Sequence, residues 1–121
     1  MPRRRRHRVE GYEIVVPSAA RATNSNTSAL GGWSRSSSGA VSKLDCTAAS
    51  GTPTLTVFIE DSPDGTAWTV RDTYPAKTGI SNETRALPAN MDNFQRVRWT
   101  ITGGTPSITF SVQFAASTTL L

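Results

Sequence analysis

Apolar and polar residues alternate with a period of two along most of this chain, and one alternating block is written twice. Residues 43–57 read KLDCTAASGTPTLTV and residues 96–110 read RVRWTITGGTPSITF. At an offset of 53 positions both follow one plan: a basic residue, an alternating segment, small–Gly–Thr–Pro, and a second alternating segment. In the first block Leu44, Cys46 and Ala48 alternate with Asp45 and Thr47, and Leu55, Val57 and Ile59 follow the turn. In the second, Val97, Trp99 and Ile101 alternate with Arg98 and Thr100, and Ile108, Phe110, Val112 and Phe114 follow. Successive side chains of a strand point to opposite faces, so this pattern predicts half-buried strands. Each block reads as one β-hairpin, and two hairpins bury their apolar faces against each other as two packed sheets.

Shorter segments complete the set. Tyr12–Val16 reads as a first strand ended by Pro17, and a weak strand is expected near Thr27–Leu30 within the loop-rich segment 18–39. The first block extends over residues 41–61. Ser62-Pro63-Asp64-Gly65 is turn chemistry, Pro presetting φ and Gly accepting a positive φ, and Trp68–Tyr74 continues as a strand. Glu83–Leu87 reads as a short strand ended by Pro88, and the second block spans 94–115. Pro53 and Pro106 each open a strand, where a missing N–H is tolerated. Only 89–97 has the composition of a helix, and its apolar spacing fits a strand as well. The expectation is an all-β, two-sheet antiparallel sandwich of about eight strands, jelly-roll-like, with an immunoglobulin-like sandwich as the alternative. Residues 1–10 form a basic N-terminal arm, 11–116 the sandwich, and 117–121 a short tail.

Composition narrows the class. With 121 residues and 36% hydrophobic content the chain is one domain with a modest core. No apolar run approaches the ~18 residues of a spanning helix, and no apolar stretch follows the basic start as in a signal peptide. The single cysteine, Cys46, excludes an intrachain disulfide, and its place on an apolar face suits a small buried hydrophobe. The net charge of +4 is unevenly distributed. Arg3, Arg4, Arg5, Arg6 and Arg8 crowd into the arm, and residues 9–121 carry eight basic against nine acidic side chains, a net of −1. The body is near neutral and the arm is cationic.

Little in the sequence offers catalysis. The one histidine, His7, sits among arginines, which disfavour its charged form and make it a poor general base. A Ser-His-Asp, Cys-His or His-metal cluster has no histidine in the body to draw on. Glu60, Asp61 and Asp64 are the sole acidic cluster, and they read as tip residues that cap a turn and keep an edge soluble. No catalytic residue, metal site or cofactor is expected. Ser62-Pro63-Asp64-Gly65-Thr66-Ala67-Trp68 resembles the Asp-box of sialidases, lacking one residue between the Asp and the Gly. That resemblance implies a structural turn followed by a buried Trp. Of the three tryptophans, Trp99 and Trp68 read as core, whereas Trp33, in a Gly/Ser-rich loop, is the candidate for an exposed contact. The arm suits an acidic protein surface, nucleic acid or an anionic membrane; without interleaved aromatics, an amphipathic helix or a lipidation motif, base-specific and membrane roles lose support.

Taken together, the two blocks and the segment Glu60–Trp68 are similar to small β-sandwich structural proteins of tailed bacteriophages, over residues 40–115. The resemblance implies a non-enzymatic virion component: a capsid decoration or minor capsid protein, or a neck or tail accessory. It implies the major capsid protein or other virion subunits as partners, a homo-oligomer or symmetric multicopy assembly, and a location in the virion after synthesis in the host cytoplasm. Beside it, Arg3, Arg4, Arg5, Arg6 and Arg8 are the expected partner contacts, with Tyr12, Trp33 and Arg35 on the body. Two other classes stand as alternatives: a carbohydrate-binding module using Trp33, and non-specific nucleic-acid binding through the arm.

Overall fold

The computed structural model describes residues 12–33 and 40–116. They form eight strands and no helix: β1 (Tyr12–Arg21), β2 (Ser25–Asn26), β3 (Val41–Ser50), β4 (Thr54–Ser62), β5 (Thr69–Thr73), β6 (Ser81–Ala86), β7 (Phe94–Thr102) and β8 (Ser107–Ala115). Two four-stranded sheets have the orders β1–β8–β3–β6 and β2–β7–β4–β5, and all pairings are antiparallel. In four of the pairs the strand numbers sum to nine: β1 with β8, β2 with β7, β3 with β6, β4 with β5. The chain is thus one long ribbon doubled back at the β4–β5 turn, then rolled until β3 meets β8 and β4 meets β7. This is a jelly roll. The immunoglobulin alternative fails on order: there the first two strands share a sheet, and here β4 and β5 are the only consecutive strands that do.

Neither repeated block is a hairpin. Each is an arch whose strands lie in different sheets, and the strands pair between blocks. β3 runs along β8 from Val41↔Ala115 to Ser50↔Ser107, and β4 along β7 from Thr54↔Thr102 to Ser62↔Phe94. The two Gly-Thr-Pro turns consequently lie against each other. The Thr52 N–H donates to the Gly104 carbonyl (3.1 Å), and the Gly104 N–H to Thr52 Oγ1 (2.9 Å). Gly51 (φ +71°) and Gly103 (φ +120°) both sit where a Cβ would overlap the opposite turn's backbone.

The core lies between the sheets and holds the inward positions of the central strands: Leu44, Cys46, Leu55, Val57, Ile59, Val97, Trp99, Ile101, Ile108, Phe110, Val112 and Phe114. Full burial of side chains of this size stabilises by about 1.5–3 kcal/mol each. Burial also pushes the Cys46 thiol pKa up, as expected for an inert buried cysteine. Alternation in β3 stops at Cys46, where a bulge turns Ala48 outward.

Pro17 does not end β1. The strand continues to Arg21 because it is an edge strand with two register irregularities around the proline. At its end Arg21 spans the seam between the sheets. The guanidinium donates to the carbonyls of Pro17 (2.6 Å), Phe110 (2.9 Å) and Ala19 (3.1 Å), and lies over the rings of Phe110 and Trp99. β2 is shorter and earlier than expected, and Leu30 contributes a single bridge to Gln95. Side chains substitute for the missing strand: Asn24 Oδ1 accepts from the Ile101 N–H (2.7 Å) and Thr27 Oγ1 from the Val97 N–H (3.2 Å).

Candidate functional site

The outer face of the β2–β7–β4–β5 sheet carries the most organised group of polar side chains. Val97, Trp99 and Ile101 point inward on β7, so Arg96, Arg98 and Thr100 point outward. On β4, Leu55, Val57 and Ile59 point inward, which turns Phe58 and Glu60 outward. The β4–β7 register sets Glu60 opposite Arg96 and Phe58 opposite Arg98. Glu60 Oε1 accepts from Arg96 Nε (2.7 Å), and Glu60 Oε2 from Arg98 Nε (2.8 Å). The Arg98 guanidinium lies over the Phe58 ring at 4.1 Å and that of Arg96 over the Trp68 ring at 4.5 Å. The result is a ladder across the sheet: Trp68, Arg96, Glu60, Arg98, Phe58.

Its electrostatics follow from burial. The Glu60 side chain is only 5% exposed, whereas Arg96 and Arg98 keep 21% and 32%. Burial alone pushes the Glu60 carboxyl up; hydrogen bonds from Arg98 and Arg96 reverse this and hold it below the usual carboxylate range. One carboxylate beneath two guanidiniums leaves one net positive charge. Arginine keeps its proton at any physiological pH, so this ladder is suited to binding anions and not to moving protons.

The acidic residues expected to cap a turn together go three ways. Glu60 underlies the arginines. Asp61 is buried on the inward side, where Oδ2 accepts from Arg71 Nη1 (2.6 Å) and from the Asp92 N–H (2.8 Å). Asp64 alone caps the turn: Oδ1 accepts from the N–H groups of Thr66 (2.9 Å) and Ala67 (3.1 Å) and from Ser62 Oγ (2.9 Å), which holds its pKa low. With Gly65 at φ +79°, this is the structural turn that the Asp-box resemblance implied. Trp68 is a correction, since it is half-buried beneath Arg96 and not part of the core.

The other expected contacts do not gather on this face. Arg3, Arg4, Arg5, Arg6, Arg8 and Arg35 lie outside the described residues. Tyr12 is exposed on the outer face of the opposite sheet, beside Ala115. Trp33 is not an open platform. It is half-buried, packs edge-on against inward-pointing Phe114 (5.5 Å), and donates from Nε1 to Glu13 Oε1 (2.8 Å). Along the β5–β6 side the charges are mutually satisfied. Arg85 donates to both oxygens of Asp72 and to Glu83, and Lys77 to Glu83. Beside them Tyr74 is buried against Ser42 Oγ (2.5 Å), and burial pushes its hydroxyl up to about 12. Among the described residues no three His, Cys, Asp or Glu side chains group to hold a metal ion, and no helix is long and apolar enough to cross a membrane.

Comparison with known proteins finds the fold elsewhere. A solved structure, the PBSX exported protein XepA, superposes with a TM-score of 0.63 at 17% identity, covering 90% of this chain and 37% of that protein's. The chain therefore spans little more than a third of XepA, and at this identity the likeness is one of fold. No protein-family model matches the sequence, and no curated protein matches it.

Proposed function

We propose that this chain is a non-enzymatic structural component of a tailed-phage particle, a capsid decoration or minor capsid protein that grips the shell through its sandwich and its basic arm. The observation that carries this reading is the jelly-roll body with a pre-organised arginine face: two guanidiniums held in place by a buried glutamate, on a sheet whose other described charges are paired. The likeness in fold to the PBSX exported protein XepA is consistent with the same setting. In this reading Arg3–Arg8 supply positive charge for acidic surfaces of the shell, and repetition on a symmetric shell multiplies contacts that are individually weak. The partners are the major capsid protein or other virion subunits. The test is to image purified particles of the encoding phage with and without the gene. Jelly-roll density at regular shell positions, lost with the gene, is expected. Density confined to the neck or tail would move the assignment to an accessory of those parts, and absence of the chain from particles would overturn it.

A further inference from the structure

We propose that the outer face of β4 and β7 is a receptor for an extended acidic peptide segment, Arg96 and Arg98 each taking one carboxylate of a segment with Asp or Glu at alternate positions. This holds whatever assembly the chain serves. Glu60 engages only the Nε of each arginine. The terminal nitrogens, Nη1 and Nη2, donate to no described residue, in contrast to Arg71 and Arg85, whose Nη groups are occupied. Contact with the rings of Trp68 (4.5 Å) and Phe58 (4.1 Å) restrains each guanidinium further. The side-chain order that binding ordinarily has to impose is therefore present beforehand, and the free edge of each fork matches a carboxylate.

The spacing selects the ligand. Residues two apart on a strand repeat at about 6.6–6.8 Å, and an extended peptide presents its alternate side chains at the same interval. Asp/Glu-x-Asp/Glu therefore places two carboxylates over two forks. The surroundings are neutral: Thr56 and Thr100 lie on the same face, and Val70, 44% exposed, is paired with Glu60 across β5. Nucleic acid fits less well. The faces of Trp68 and Phe58 are already covered by guanidiniums, so bases have no platform. Residues 9–121 also carry eight basic against nine acidic side chains, so the body has no field to draw a polyanion.

The experiment uses the full chain and fluorescence anisotropy at low salt. The probe is a labelled short peptide alternating glutamate and threonine; its glutamine counterpart and a short duplex DNA serve as competitors. Arg96→Lys/Arg98→Lys keeps the charge but removes the forks. Glu60→Gln/Arg96→Gln/Arg98→Gln removes every charge of the ladder and leaves no buried carboxylate unpaired, and circular dichroism selects the folded variants for the titration. Either face variant should weaken glutamate-peptide binding by about tenfold. Replacing Arg3–Arg8 by serine should leave that difference between wild type and face variant intact. Equal binding of the glutamine peptide, unchanged affinity in the face variants, loss of binding with the arm alone, or stronger arginine-dependent binding of DNA on this face would each overturn the proposal.

Discussion

Replacing Gly103 by alanine should force the two arches apart. Gly103 has φ +120°, where an L-residue costs on the order of 1–3 kcal/mol. The new Cβ would lie 2.9 Å from the Thr52 carbonyl carbon, nearer still to its oxygen, and 3.5 Å from Pro53 Cα. These are main-chain atoms, so no side-chain rotation relieves the overlap. Moving the turns apart breaks the Thr52–Gly104 hydrogen bonds of 3.1 and 2.9 Å, about 1 kcal/mol each. The sum is about 3–5 kcal/mol, a large share of the roughly 5–15 kcal/mol that holds a domain folded. Gly104→Ala meets only the Thr52 hydroxyl, at 3.3 Å, and should cost less; Gly79→Ala meets nothing within 4 Å and should stay within about 1 kcal/mol of wild type. Urea unfolding followed by tryptophan fluorescence orders the three. With an m-value of about 1.5 kcal/mol/M, the Gly103→Ala midpoint should fall by roughly 2–3 M. If Gly103→Ala and Gly79→Ala unfold at the same urea concentration, the turns do not meet as described.

Four further outcomes follow from particular side chains. Glu60→Ala leaves two guanidiniums without their anchor and should cost about 1–3 kcal/mol by the same urea assay, less than a fully buried pair because both arginines are partly exposed. Because the folded Glu60 carboxyl is held low, its contribution is present above the ordinary glutamate range and lost as pH falls through the folded value; Glu60→Gln should therefore flatten the acid limb of the stability–pH curve measured by thermal melts. Cys46, buried with its thiol pKa raised, should react with a thiol reagent at neutral pH only once urea unfolds the chain; rapid labelling of the native protein would contradict its placement. Arg21→Lys loses the fork that joins Pro17, Ala19 and Phe110 and should cost about 1–3 kcal/mol, seen as faster amide exchange in β1.

Much of the fold was readable from alternation, and the errors share one cause. A period of two states which side chains point inward but not which strand lies alongside. In a hairpin and in an arch the same residues, such as Leu44 and Leu55, face the core, so the repeated blocks fit both. The choice is made by partners far away in sequence, β8 for β3 and β7 for β4. Pro17 misled in the same way, because it terminates a strand only if its N–H is needed, and on an edge it is not. The arginine face was missed because outward Arg96 and Arg98 look like ordinary solvated positions. Their meaning depends on Glu60 and Phe58, and only the β4–β7 register brings those beneath them. The signal was present as two outward arginines on one block and an outward Phe58–Glu60 pair on the other. It was unreadable without the pairing. Trp33 was misjudged because a loop position says nothing of Phe114 waiting below it.

The rolled ribbon also governs when this chain can fold. Every strand of the first half, β1 to β4, pairs with strands of the second half, β5 to β8. While the chain is being synthesised, β1, β2 and β3 have nothing to pair with until β6, β7 and β8 have emerged, and β1 waits for the last of them. Closure of the body therefore waits for β8, and long-range closures of this kind place it among the slower folders, in milliseconds to seconds. A polypeptide cut short before Ser107 would lack β8, the strand that joins β1 to β3, and β1 would have no partner in its sheet.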